Sequence, residues 1–298
     1  MGHDHHHQLG NHQQSQRAIF GSFLLNFGFA LIEFIFGALF NSSAVLADAV
    51  HDTGDALAIG LSWIFEKVST RKSDDHYTLG YDRFSLLGAM ITATILIVGS
   101  LVVVVENFPK LFHPEPVNAN GMLWLGLVAI AVNLGAQHLL SRGSSEHESI
   151  LSLHFLEDTL GWLAVILVSV CLHFTNWYIL DPLLSLAISL FILSKALPRF
   201  IKNMTIFLEA SPRDLDMLAI RRAINQLDEV EAVPQLNIWS IDGHRHVAMI
   251  HIILENRQDE KLVKDKIHHI LEDYQVVQSA IECDDSSFEH HHHCPPSH

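Results

Sequence analysis

Long apolar blocks separated by short polar connections fill the first two thirds of this chain. They lie near residues 18–40, 44–65, 84–105, 121–140, 150–173 and 177–201. A helix of about 20 residues crosses the hydrocarbon core of a bilayer. Lipid offers the backbone no hydrogen bonds, so a spanning segment must be helical or part of a closed barrel. No stretch shows the two-residue alternation of a membrane barrel. The pattern therefore predicts six transmembrane α-helices. Basic residues in short connections mark the cytoplasmic side. Arg17, Lys67, Arg71, Lys72, Arg83, Arg142, Arg199 and Lys202 fall on one side, and Lys110 falls on the other. Both termini are expected in the cytoplasm, and a bacterial inner membrane is the expected location.

Beyond about residue 205 the pattern changes. Residues 213–227 and 259–274 carry apolar positions at helical spacing, whereas VEAVPQLNIWSI and HVAMIHIILE are β-rich and flank the turn signal Asp242-Gly243. A last short strand is expected at 279–283. The expectation is a cytoplasmic α+β domain running helix, strand, strand, helix, strand. The division is then a His-rich tail at 1–16, the six-helix domain at 17–204, the α+β domain at 205–285 and a second His-rich tail at 286–298.

Composition narrows the function. Residues are 49% hydrophobic and 17% charged, well below the roughly 25% charged residues of a soluble domain. That excludes a single soluble domain, and it excludes disorder. The net charge of -15 would repel phosphate, so nucleic acid is set aside. The N-terminal stretch has no basic start and no small-residue cleavage site, so it is not a secretory signal. Three cysteines make no disulfide framework, but 22 histidines point toward a metal.

Charged groups at mid-bilayer are costly and therefore functional suspects. The second block carries Asp48, His51, Asp52 and Asp55 in LADAVHDTGDALA, and the fifth carries His154, Glu157 and Asp158 in LSLHFLEDTLGW. His51 and Asp55 are four residues apart, as are His154 and Asp158, so each pair shares a helix face. Two such faces turned together offer two nitrogens and two carboxylate oxygens, a set suited to tetrahedral Zn2+. Mg2+ or Ca2+ would want oxygens alone. Asp52 and Glu157 sit about 100° around their helices from His51 and Asp158 and are read as supporting, proton-path or interfacial groups. Asp48, one turn before His51, is read as lining the access route. Asn26, Glu33, Asn133 and Asp181 are lone polar groups, which interhelical hydrogen bonding commonly explains.

At these residues the chain resembles the cation diffusion facilitator family, and specifically its zinc-exporting branch. LADAVHDTGD and HFLED carry the two His-x-x-x-Asp motifs. LLNFGFALIEFIFG, YTLGYDRFSLLGAM, HPEPV, LDPLLSLAISL and LNIWSI match as well, over about residues 17–284. The resemblance implies a transport site of His51, Asp55, His154 and Asp158, a metallochaperone-like (ferredoxin-like) cytoplasmic domain, and a homodimer exchanging metal for protons. His251, Glu282 and Asp284 match ligand positions in that domain, while Pro234 and Asn237 stand where relatives often have a His. A second loop site found in some members is not carried over, because Asp74, Asp75, His76, Tyr77 and Tyr81 lack most of its ligands.

The expected activity is therefore zinc export from the cytoplasm against protons, with no enzymatic step. Loading needs neutral imidazole and ionised carboxylates, so metal and protons compete. Rival readings are a transporter for Cd2+, Co2+, Ni2+, Mn2+ or Fe2+, an intramembrane zinc enzyme using Glu157 as base, and a membrane zinc sensor that transports nothing. The tracts HDHHH and HHHHC, with His290 to His293 and Cys294, read as metal scavengers or as an affinity tag. The acidic tail domain is expected to dimerise, with zinc at His251, Glu282 and Asp284 offsetting its repulsion.

Overall fold

The computed structural model describes residues 23–24, 26–140, 146–256 and 259–285. Both His-rich tails lie outside the described residues. The chain divides into two compact units. One comprises the residues up to Phe65 together with Gly88–Phe200, and the other comprises Glu66–Leu87 with the residues from Ile201 on.

Helix α1 covers Asn26–Phe40. It is followed by α2 (Ser43–Ser69), α3 (Arg83–Asn107), α4 (Ala119–Leu140), α5 (Glu146–Phe174) and α6 (Leu180–Phe207). Arg83–Leu111 and Leu180–Phe207 are long and apolar enough to cross a membrane by length and composition. Asn26–Phe40, Ala119–Leu134 and Asp158–Phe174 are shorter apolar helical stretches among the described residues. In α2 the run is interrupted by Asp48, His51, Asp52 and Asp55.

These helices are packed inside out relative to a soluble bundle. Ala44, Ala47, Ala49, Ala56, Ser185 and Ser189 are buried, whereas Val105 and Trp124 are each 70% exposed and Phe174 is 81% exposed. Small residues inside let backbones approach, and large apolar residues outside suit lipid. Larger side chains cluster where α2, α4 and α5 meet, around Val45, Met122, Leu125, Ala129, Trp162 and Val165. Phe29 of α1 meets Trp162 edge-on, with ring centroids 6.2 Å apart.

The corner between α1 and α2 is tightly specified. Asn41 adopts a left-handed backbone (φ 53°), a conformation Asn tolerates better than most residues, and this ends α1. Its Nδ2 donates to Glu115 Oε2 at 3.1 Å and to the Pro116 carbonyl at 3.2 Å, anchoring the HPEPV segment. The buried Asp181 at the start of α6 caps α2. It accepts from Ser42 Oγ (2.7 Å), Ser43 N (2.7 Å) and Ala44 N (3.3 Å). An anion at a helix N-terminus also meets the positive end of its dipole. Asp181 thus bears out the expectation of interhelical hydrogen bonding.

The second unit contains α7 (Met217–Asn225), β1 (Val230–Ser240), β2 (His246–Leu254), α8 (Glu260–Glu272) and β3 (Val276–Asp285). The order helix, strand, strand, helix, strand is as expected. Helix α7 is shorter than the expected 213–227, because Asp216 caps it by accepting from the amides of Leu218 and Ala219. Strand order is β1-β2-β3, with β1 and β2 antiparallel and β2 and β3 parallel. Ile220 and Ile224 of α7 and Val263, Ile267 and Leu271 of α8 pack with Leu236, Ile238, Ala248, Ile250, Ile252 and Leu254.

His246 opens β2 at 2% exposure, and its Nδ1 has no hydrogen-bond partner. Burial pushes its imidazole below the usual value of 6.5, against the opposing pull of Asp214 and Asp242. The unfolded chain therefore binds the proton first. The stability tied to neutral His246 is full above about pH 6.5 and is lost as pH falls toward the folded pKa. Corrected for the thiolate fraction at each pH, labelling of Cys283, half-buried against the same core, should accelerate on acidification in full-length protein lacking the other two cysteines. Measured against His246→Gln at each pH, that acceleration should be absent from the variant.

Candidate metal centre

Helix α2 is fixed at its start by Asp181 and drawn close to α3 by glycine. A Cβ at Gly54 would lie 2.1 Å from Leu96 Cδ2, and one at Gly99 would lie 2.8 Å from Val50 Cγ1. Both contacts are closer than real Cβ atoms allow, so side chains at these positions would have to displace Leu96 and Val50 of the facing helix. Gly54 adjoins Asp55, so helix spacing and site geometry are set together.

His51 and Asp55 of α2 meet Asp158 of α5, with one ligand atom of each within 4.8 Å of the others. His51 Nε2 is 3.6 Å from Asp55 Oδ2 and 3.9 Å from Asp158 Oδ1. These separations are too long for hydrogen bonds. They suit a shared ion instead, because ligands bonded tetrahedrally at about 2.0–2.2 Å lie about 3.3–3.6 Å from one another. All three residues are partly exposed, so the group can be reached from outside the protein. His154 lies on α5 one turn before Asp158, and its side chain lies outside the described residues, as does that of Glu157.

Asp48 and Asp52, beside this group on α2, also belong to another one. Together with Glu33 of α1 they form a second cluster, again with ligand atoms mutually within 4.8 Å. The spacing of Asp48 and Asp52 explains it, since i and i+4 share one stripe of α2, which Glu33 of α1 reaches. Glu33 is the residue the sequence argument undervalued. Its signal was an acid within the apolar run ALIEFIFG.

The family whose transmembrane domain matches residues 19–208 is described as cation efflux. This chain belongs to the cation efflux family. The match bears out the resemblance to the cation diffusion facilitators. A cadmium, cobalt and zinc/H(+)-K(+) antiporter of Bacillus velezensis is 27% identical over 297 residues, covering 97% of this chain and 94% of its own. The zinc transporter ZitB of Escherichia coli is 28% identical over 314 residues, covering 98% of this chain and all of its own. The metal cation efflux system protein CzcD of Cupriavidus metallidurans is 25% identical over 254 residues, covering 85% of this chain and 79% of its own.

In the α+β unit of this cation efflux protein, His251 Nε2 and Asp284 Oδ2 lie 2.9 Å apart and are buried. Glu282 pairs with His251 in the β2–β3 register, but it is exposed. The structure therefore joins two of these three residues. In the loop before α3, Asp74 accepts from the Tyr81 hydroxyl (2.5 Å) and from the amides of Tyr77 (2.8 Å) and His76 (2.9 Å). Those donors, the Tyr81 hydroxyl first, hold the Asp74 carboxyl below its usual range. Asp74 serves there as the brace of a turn.

Proposed function

We propose that this protein exports zinc from the cytoplasm in exchange for protons, through a site formed by His51, Asp55, His154 and Asp158. The observation that carries this reading is the convergence of His51, Asp55 and Asp158 from two helices at metal-ligand spacing. Relatives named as zinc transporters and as a metal/H(+)-K(+) antiporter support it. The six helices up to Phe207 are the six spans, the residues beyond them form a metallochaperone-like cytoplasmic domain, and both termini face the cytoplasm of a bacterial inner-membrane protein. The working unit is a homodimer. The domain division is the one set out above, at 16/17, 204/205 and 285/286. His251, Asp284 and the nearby Glu282 give the cytoplasmic domain a regulatory zinc site.

The chemistry follows from the ligand types. Neutral imidazole and ionised carboxylate bind the metal, and protons on either weaken it. An imidazole nitrogen holds either the metal or a proton, so His51 and His154 are the groups that carry protons on the return. One site exposed alternately to each side then couples the two fluxes. Proteoliposomes holding the purified protein should move protons when a zinc gradient is imposed. Zinc binding without flux would leave a sensor and defeat the transport reading.

Selectivity tests the ligand assignment. His51→Asp turns two nitrogens and two oxygens into one nitrogen and three oxygens, a harder set. The ratio of zinc to cadmium flux should fall, by roughly tenfold if one ligand preference worth about 1.4 kcal/mol is lost. An unchanged ratio would place His51 outside the set of ligands.

A further inference from the structure

Glu33 stands in an apolar helix, fully buried, and among the described residues no amide, hydroxyl or basic donor reaches its carboxylate oxygens, whose hydrogen-bonding neighbour is the Asp52 carboxyl. Asp48 is 6% exposed, and its Oδ2 lacks a partner. A buried carboxylate without donors is among the costliest groups a fold can hold. The same unit shows how such a group is otherwise satisfied, since Asp181 receives three donors. Glu33 instead faces Asp48 and Asp52, which are acids like itself.

The geometry points to a second cation site, in which Glu33, Asp48 and Asp52 bind a divalent ion through oxygens alone. One ligand atom from each lies within 4.8 Å of the others. Oxygens bound to one ion at about 2.1–2.5 Å lie at most about 4.2–5.0 Å apart, so the cluster needs little contraction. A Cβ at Gly161 of α5 would stand 3.8 Å from Asp48 Oδ1, so the glycine leaves space there for a water kept by the ion. An all-oxygen set prefers a harder ion than the nitrogen-and-oxygen group does. The two groups share α2, so a cation held at one opposes loading of the other by like charge. The site gives cargo or a counter-ion a second stopping place.

The test is Mn2+ binding to full-length protein in detergent carrying His51→Ala and Asp158→Ala, which disables the first group. Free Mn2+ is read by electron paramagnetic resonance. We expect about one Mn2+ per chain whose affinity falls at least tenfold on adding Glu33→Gln, and likewise on adding Asp48→Asn. Sites in the tails and the cytoplasmic domain bind equally in all variants and cancel in the comparison. Both amides keep the side-chain shape, and gel filtration with thermal unfolding verifies folding. Asp52→Asn replaces either variant if that one aggregates. Unchanged Mn2+ uptake in either folded variant would mean that protons alone neutralise the cluster, and would overturn the site. The assay measures no flux, so its failure leaves the transport reading standing, and failed flux leaves this site standing.

Discussion

Asp158→Ala and Asp55→Ala should each abolish zinc-driven proton movement while leaving the helical unit folded. Each removes one of four proposed ligands. Loss of groups that merely orient a ligand already costs about 10- to 100-fold in metal affinity, so a lost ligand costs at least that. Stability should hold, because both variants keep the Asp181 cap of α2 and the packing around Met122, Trp162 and Val165. Removing a negative charge near Asp48 and Asp52 also relieves repulsion. Flux in proteoliposomes and thermal unfolding in detergent separate the two effects. Zinc flux within a few-fold of wild type in either variant would sink the site.

The reverse outcome is expected of Asp181→Ala, where the loss is structural. Ser42 Oγ and the amides of Ser43 and Ala44 would lose their buried acceptor together. Unsatisfied buried donors cost about 1–3 kcal/mol each, so a total on the order of 3–5 kcal/mol follows after partial relaxation. Thermal unfolding should shift down by many degrees, and zinc binding by correctly folded molecules should be kept. Asp181→Asn keeps one acceptor oxygen and should recover part of the loss. A variant as stable as wild type would show that α2 does not depend on this cap.

How much of this was legible in the sequence depended on whether the partners shared a segment. The apolar blocks were legible because lipid imposes length and composition on each helix separately. His51 and Asp55 were legible because one helix carries both at a fixed spacing. Glu33 was not, because its partners lie on another helix and an isolated acid has a commoner explanation. The pairing of His251 with Asp284 depends on the parallel register of β2 and β3, which no local pattern encodes. Strand β3 runs from Val276 rather than 279, since residues along a sheet edge need not alternate. The tails, where histidine content first suggested metal, fall outside the described residues.

The inside-out packing of the helices has a calorimetric consequence. Heat capacity rises on unfolding when apolar surface passes from a dry interior into water. In the helical unit many large apolar residues already face outward, and Ala and Ser fill much of the interior around the one cluster at Met122, Trp162 and Val165. Loosening these helices within a micelle exposes little new apolar surface to water, so the transition should carry a small heat-capacity increment and a shallow dependence on denaturant. The α+β unit buries Ile, Leu and Val against two helices and should show both in ordinary proportion. A melt of the whole chain is then the sum of two transitions that obey different solvents, and no single unfolding free energy describes it.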